Sequence, residues 1–184
     1  MSTQSSYIIR DGLANDIPTC TALDAAYDTD HVWQMSIQHN IGQHQITFKT
    51  EHLPRTMRVQ YTIDERRLRM TLPTQHCFIV ASHREEKGLT VGFLAMRQEP
   101  AHKLAVIQDI VVHEPYRRQQ IGTRLLNVAR KWAYEHTIEQ VLLETQSKNY
   151  PAIQFCEKNG LSFCGFNDQY FQNQDIAIFF GQSL

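Results

Sequence analysis

Residues 113–126, HEPYRRQQIGTRLL, carry two arginines, two glutamines and a glycine within six positions. They follow the apolar run KLAVIQDIVV and precede an amphipathic run. A strand that feeds directly into a helix leaves backbone N–H groups free at the helix start, and these attract an anion together with the helix dipole. Arg117 and Arg118 add charge-assisted donors just ahead of that start. Gly122 lets the backbone approach a ligand with no Cβ in the way. Two carboxylates also stand out: Asp109 interrupts AVIQDIVV, and Glu144 ends VLLE. The competing readings are an arginine-rich surface turn for the first feature and salt-bridged strand-end acids for the other two.

Other chemistries are poorly served. There is no GxxxxGK[ST] phosphate loop and no GxGxxG after the first strand. The nine histidines include His31, His39, His44 and His52 in one stretch, without a second ligand at helical spacing or a cysteine partner, so no metal is expected. The four cysteines (Cys20, Cys77, Cys156 and Cys164) lie in apolar surroundings and form no CxxC. They read as reduced thiols of a cytoplasmic protein. The opening MSTQSSYIIRDG lacks a basic-then-apolar signal pattern. A net charge of −1 supplies no global field for nucleic acid or for a membrane surface, so any anion site must be local.

The elements that position these residues follow from periodicity. SYIIRDG reads as a first strand. ANDIPTCTALDAAY reads as a helix with a proline near its start. DHVWQMSI and HQITFKTEH read as a strand pair, and RTMRVQYTIDERRLRM as a charged, solvated helix. HCFIVASH and LTVGFLAMRQ form a hairpin. KLAVIQDIVV is almost wholly apolar, the pattern of a strand covered on both faces. A helix runs from about Gly122 to His136, with Ile121, Leu125, Ala129, Trp132 and Ala133 on one stripe. IEQVLLET is a strand, NYPAIQFCEKNG a helix ended by Gly160, and LSFCGFNDQYF and DIAIFFGQ two closing strands. The 184 residues suffice for one domain with a real core, spanning 1–184. Strand–helix–strand–helix with antiparallel hairpins outside gives a mixed α/β sheet.

IQDIVVHEPYRRQQIGTRLLNVARKWA resembles the coenzyme A-binding motif of the GNAT N-acetyltransferase superfamily, an apolar strand followed by R/Q-x-x-G-x-G/A and a helix. Arg117 matches the first position and Gly122 the last, whereas Gln120 replaces the first glycine. NYPAIQFCEKNGLSFCGF is similar to the family's N-x-x-A-x-x-F-Y-E-K-x-G-F segment, with Cys156 at the tyrosine. LETQSKNYPA, the tail QDIAIFF and the QDI before the loop look like the streptothricin acetyltransferase subgroup. The resemblance implies a central mixed sheet of about seven strands flanked by helices and splayed at its central parallel pair.

It also implies an activity: an acetyl group passes from acetyl-CoA to a primary amine by direct attack in a ternary complex. By this reading Arg118, Gln119, Gln120, Ile121, Gly122 and Thr123 offer amides to the pyrophosphate. The backbone of Ile110, Val111 and Val112 takes the pantetheine arm, and Asn149 adds a coenzyme contact. A lysine-type amine has a pKa near ~10.4 in water, so a carboxylate that attracts the ammonium and accepts its proton is needed. Glu144 is the first candidate and Asp109 the second. Cys156 stands where the acid for the departing thiolate is expected, although a packing role suits a thiol on a helix better; Tyr150 and Tyr170 are substitutes. The acceptor is read as a small cationic molecule. Alternatives are a protein N-terminus or lysine as acceptor, a non-catalytic acyl-CoA-binding or sensing module, and a structural partner protein that uses its closing strands to form a homodimer.

Two expectations follow. Gln120 keeps a negative φ and donates its backbone N–H with its side chain turned to solvent. Replacing Cys156 with alanine leaves turnover largely intact; a loss of kcat of about a hundredfold or more at neutral pH would assign the thiol a chemical role.

Overall fold

A computed structural model describes residues 6–73, 76–86 and 88–184. Among the described residues nine strands and four α-helices follow in chain order: β1 (Tyr7–Asp11), α1 (Ile17–Thr21), β2 (Tyr27–Asn40), β3 (Gln43–Val59), α2 (Glu65–Arg69), β4 (Cys77–His83), β5 (Thr90–Glu99), β6 (Leu104–Val112), α3 (Ile121–Glu135), β7 (Gln140–Gln146), α4 (Tyr150–Lys158), β8 (Ser162–Asn167) and β9 (Ala177–Ser183). Seven strands form one sheet in the order β1-β4-β5-β6-β7-β9-β8. β1, β4, β5 and β6 pair antiparallel in succession, and β6 pairs parallel with β7. This is the mixed α/β sheet expected. β2 and β3 form a separate two-stranded ribbon.

The chain divides into two compact units. The first takes residues up to Ala25, Tyr61–Leu143 and Gly181–Leu184; the second takes Ala26–Gln60 and Glu144–Phe180.

The first unit is organised around β4 and β5. Cys77–Ala81 and Thr90–Met96 are buried on both faces. Ile17 and Cys20 of α1 and Leu68 of α2 join Phe78, Val80, Phe93, Ala95 and Val111 in one apolar cluster. α3 lies against β4, β5 and β6. It buries Ile121, Leu125, Leu126, Ala129 and Ala133 and exposes Arg124, Asn127, Lys131 and Glu135, while Trp132 is only half-buried. β6 departs from the expected double cover. Ala105, Ile107, Asp109 and Val111 are buried, whereas Leu104, Val106, Gln108, Ile110 and Val112 are half-buried. Apolar residues on both faces hid that alternation.

Two irregularities shape β6. Ala95 faces Asp109 while Met96 faces Ile107, so Gln108 is the extra residue of a bulge. The parallel ladder to β7 covers four pairs and ends at Ile107↔Leu143. Beyond it, Ile110, Val111 and Val112 still pair with Leu94, Phe93 and Gly92 of β5.

In the second unit the ribbon is far longer than expected. Its register runs from Tyr27↔Val59 to Asn40↔Gln43, closed by Ile41 and Gly42, the latter at φ +73°. Glycine adopts that left-handed φ without the steric cost a Cβ would bring. β3 therefore claims RTMRV, which was assigned to the charged helix. Of that helix only Glu65–Arg69 forms, with the Asp64 carboxylate accepting from the amides of Arg66 and Arg67 at 2.8 and 3.2 Å. The expected first helix is also shorter, a single 3-10 turn leading into Ile17–Thr21. Among the described residues no helix is long and apolar enough to cross a membrane.

At Gly92 the backbone of β6 comes close to β5: a Cβ there would lie 2.7 Å from the Val111 carbonyl oxygen. Backbone cannot move aside as a side chain can. Gly92→Ala is expected to destabilise by about 1–3 kcal/mol, and a chain of this length loses roughly 2–4 °C in Tm per kcal/mol. An unchanged thermal melt would show that β6 yields without cost.

Candidate active site

The loop after β6 is braced from behind. Arg117 donates Nε–H to the Val112 carbonyl at 2.9 Å and Nη2–H to the Asp24 carbonyl at 3.1 Å. His113 Nδ1 accepts the Asp24 N–H at 3.3 Å, and its ring stacks on Tyr116. Arg117 thus gives two of its N–H donors to backbone. Gln119 donates to the Pro115 carbonyl at 3.4 Å.

The front of the loop differs. Arg118 and Gln120 both take the left-handed conformation, at φ +63° and +62°. The expected negative φ at Gln120 is therefore wrong. The residue adopts the backbone shape for which glycine is preferred, at the junction between the 3-10 turn at Glu114–Tyr116 and α3. A left-handed residue followed by a right-handed one turns successive amides to one side, the shape of an anion-binding concavity, and Gln120 stands so before Ile121, the first residue of α3. No side chain caps α3. Among the described residues the amides of Arg118, Gln119, Gln120, Ile121, Gly122 and Thr123 have no hydrogen-bond acceptor; the first amide to find one is that of Arg124, on the Gln120 carbonyl at 3.0 Å. The positive end of a 15-residue helix dipole lies at the same stretch. Arg118 is exposed beside them.

Asp109, on the same strand, is buried, with its side chain fully inaccessible. Tyr61 donates to its Oδ1 at 2.6 Å, and Arg67 Nη2 reaches that same oxygen at 2.7 Å. Arg67 Nη2 also lies 2.7 Å from the Tyr61 hydroxyl. Burial and the neighbouring Asp109 charge push the Tyr61 phenol well above its ordinary range. Asp109 Oδ2 is buried, with no hydrogen-bond partner among the described residues. Tyr61 and Arg67 lay inside the stretch taken as a solvated helix. They are 48 and 42 residues from Asp109 in the chain, and no local pattern links them to it.

The second unit holds the other candidates. Glu144 is buried, and Tyr170, itself half exposed, donates to its Oε2 at 2.5 Å. Tyr170 thus meets a carboxylate, a pairing that the sequence could not place. Asn149 caps α4, its Oδ1 accepting the Ala152 amide at 3.1 Å. The Tyr150 ring packs 5.1 Å from His31. Cys156 is fully buried on α4, and burial pushes its thiol up to about 12. That is the environment of a packing residue. All four cysteines are free, and among the described residues no group of three or more metal-ligating side chains comes together.

The family model for the acetyltransferase (GNAT) family matches residues 42–161. The chain belongs to the acetyltransferase (GNAT) family. Within it, streptothricin acetyltransferases are similar: streptothricin acetyltransferase A of Bacillus subtilis (strain 168) is 35% identical over 79 residues, 41% of this chain and 46% of that protein. Streptothricin acetyltransferase of Escherichia coli is 34% identical over 64 residues, 35% and 37% of the two chains. The chain thus spans less than half the length of the relatives it matches. The GNAT fold itself extends over nearly all of it. Nourseothricin acetyltransferase superposes with a TM-score of 0.82 at 19% identity, covering 97% of this chain and 99% of that one. A Bacillus anthracis str. Ames protein solved in complex with acetyl coenzyme A superposes with a TM-score of 0.76 at 22% identity, covering 97% and 98%.

A glutamine in the left-handed region costs roughly 1–2 kcal/mol, part of which glycine forfeits through its freer unfolded chain. Gln120→Gly is expected to raise Tm slightly and to change acetyl-CoA affinity only modestly, read by thermal melt and by calorimetry. A lowered Tm would mean that the glutamine side chain holds the loop.

Proposed function

We propose that this GNAT chain is an acetyl-CoA-dependent N-acetyltransferase acting on a primary amine of a small cationic acceptor, as one catalytic domain over residues 1–184. The observation that carries the reading is the row of six unpartnered amides from Arg118 to Thr123, with Arg118 and Gln120 in the left-handed conformation. Such a row suits a pyrophosphate, whose oxygens accept from several amides at once. The likeness to streptothricin acetyltransferases and to a structure holding acetyl coenzyme A supports the same choice.

In this reading the amides of Arg118, Gln119, Gln120, Ile121, Gly122 and Thr123 hold the pyrophosphate, and Arg117 keeps the loop in shape from behind. Ile110, Val111 and Val112, past the end of the parallel ladder, offer strand backbone to an extended arm. Asn149 adds a contact from α4. Bound there, acetyl-CoA supplies a thioester carbonyl for attack by the amine. A backbone amide of β6 aimed at that carbonyl oxygen stabilises the charge that develops on it.

The amine must lose a proton before it attacks. A carboxylate attracts the ammonium and takes that proton, directly or through water. Glu144 is the first choice, with Tyr170 bonded to it, and Asp109 the second. The departing thiolate leaves with a proton from Tyr170, Tyr150 or solvent. Cys156 is given no proton transfer, because its sulfur is inaccessible and its thiol is pushed upward. A cytoplasmic setting, where thiols stay reduced, suits the four free cysteines.

Calorimetry with acetyl-CoA, followed by thiol release with streptothricin, spermidine and a peptide with a free N-terminus, tests the proposal. Binding is expected, with release dependent on the small polyamines. Binding without turnover on any amine would favour a sensing module, and absence of binding would overturn the reading altogether.

A further inference from the structure

The ribbon carries two pairs of histidines that face each other across its strands. His31 stands opposite His52, with ring centroids 4.9 Å apart and ring planes at 80°. His31 Nδ1 is engaged by the Asp30 carboxylate at 2.7 Å. His39 stands opposite His44, on the other side of the turn at Ile41 and Gly42. There the two Nδ1 atoms face each other at 2.9 Å, with the ring planes at 79°. Helical spacing does not relate these two residues, so the sequence offered no metal motif; strand pairing brings them together.

Facing imidazole nitrogens can share one ring N–H, or both lone pairs can meet one metal ion. The separation bears on the second use. With each nitrogen about 2.0–2.1 Å from an ion, two at right angles lie about 2.9 Å apart and two at a tetrahedral angle about 3.3 Å. The observed 2.9 Å matches the right-angled edge of a square-planar or tetragonal ion. The ribbon adds an independent reason. Every residue from Ser36 to Ile46 is exposed. Two strands paired only with each other are marginally stable in water, and a cross-link beside their turn holds the part with the least cover.

We propose that His39 and His44 form a two-point site for a late first-row divalent ion of the Ni2+ or Cu2+ class, which clips β2 to β3 at the end of the ribbon. Both rings are exposed, so water completes the coordination shell. The ring that donates its Nδ1 proton moves it to Nε2 by exchange with solvent, which frees both Nδ1 lone pairs for the ion. The site involves neither acetyl-CoA nor the amine, and it stands or falls apart from the proposed reaction.

Calorimetry with Ni2+ on the full chain, paired with thermal melts, tests the site. One ion per chain is expected, with a raised Tm, because an ion that binds only the folded chain stabilises it by mass action. His39→Gln and His44→Gln are each expected to weaken Ni2+ binding by about tenfold or more, since each removes one of two linked contacts. Both variants should keep the metal-free Tm and lose the rise with Ni2+. His31→Gln and His52→Gln are expected to leave Ni2+ binding unchanged. Mg2+, which imidazole does not suit, is expected not to bind. Absence of Ni2+ binding, an equal loss in the His31 or His52 variants, or binding that survives in the His39→Gln/His44→Gln double variant overturns the proposal. Mg2+ binding as tight as that of Ni2+ would assign the ion to carboxylates and overturn it too.

Discussion

Backbone amides withdrawn from one another must find acceptors elsewhere, and a helix cannot satisfy its own first turn. In this chain that constraint falls where β6 has lost its parallel neighbour and α3 begins without a capping side chain. Much of the first unit serves to hold that stretch. Gly92 admits β6 at close range, Arg117 ties the loop to Val112 and Asp24, and the buried stripe of α3 fixes the helix against β4, β5 and β6. The left-handed turns at Arg118 and Gln120 are tolerated because both ends of the loop are fastened in this way.

The two carboxylates are dressed differently. Asp109 has an arginine and a tyrosine on one oxygen and none of its side chain reaches solvent. Glu144 meets a tyrosine that is 43% exposed. Two acids in unlike surroundings are suited to unlike tasks, and environment rather than residue type separates them. This is why their order of importance could not be read from the runs AVIQDIVV and VLLE alone.

Much of the fold was legible in the sequence wherever burial left a period. The hairpin of β4 and β5, the stripe of α3 and the Asn149 and Gly160 ends of α4 all carry local signals. Legibility failed at β3 for a physical reason. A ribbon paired only with itself is exposed along most of its length, so RTMRV shows no alternation and its charges look helical. The conformation of Gln120 was misjudged because residue type predicts φ only on average, whereas the turn is imposed by what lies on either side. Tyr61 and Arg67 were invisible because tertiary pairing over more than forty residues leaves no mark in either segment.

The sulfur atoms have a chemical consequence of their own. Exchange between thiols and disulfides proceeds through the thiolate and needs access to it. Cys20, Cys77 and Cys156 are buried, and burial pushes each thiol up to about 12, so they stand outside that traffic. Cys164 alone is exposed, its sulfhydryl directed at the Phe179 carbonyl at 3.4 Å. A disulfide that reaches this chain from solution therefore finds one of the four sulfurs with which to exchange, the mixed disulfide forming as its other half leaves as a thiol.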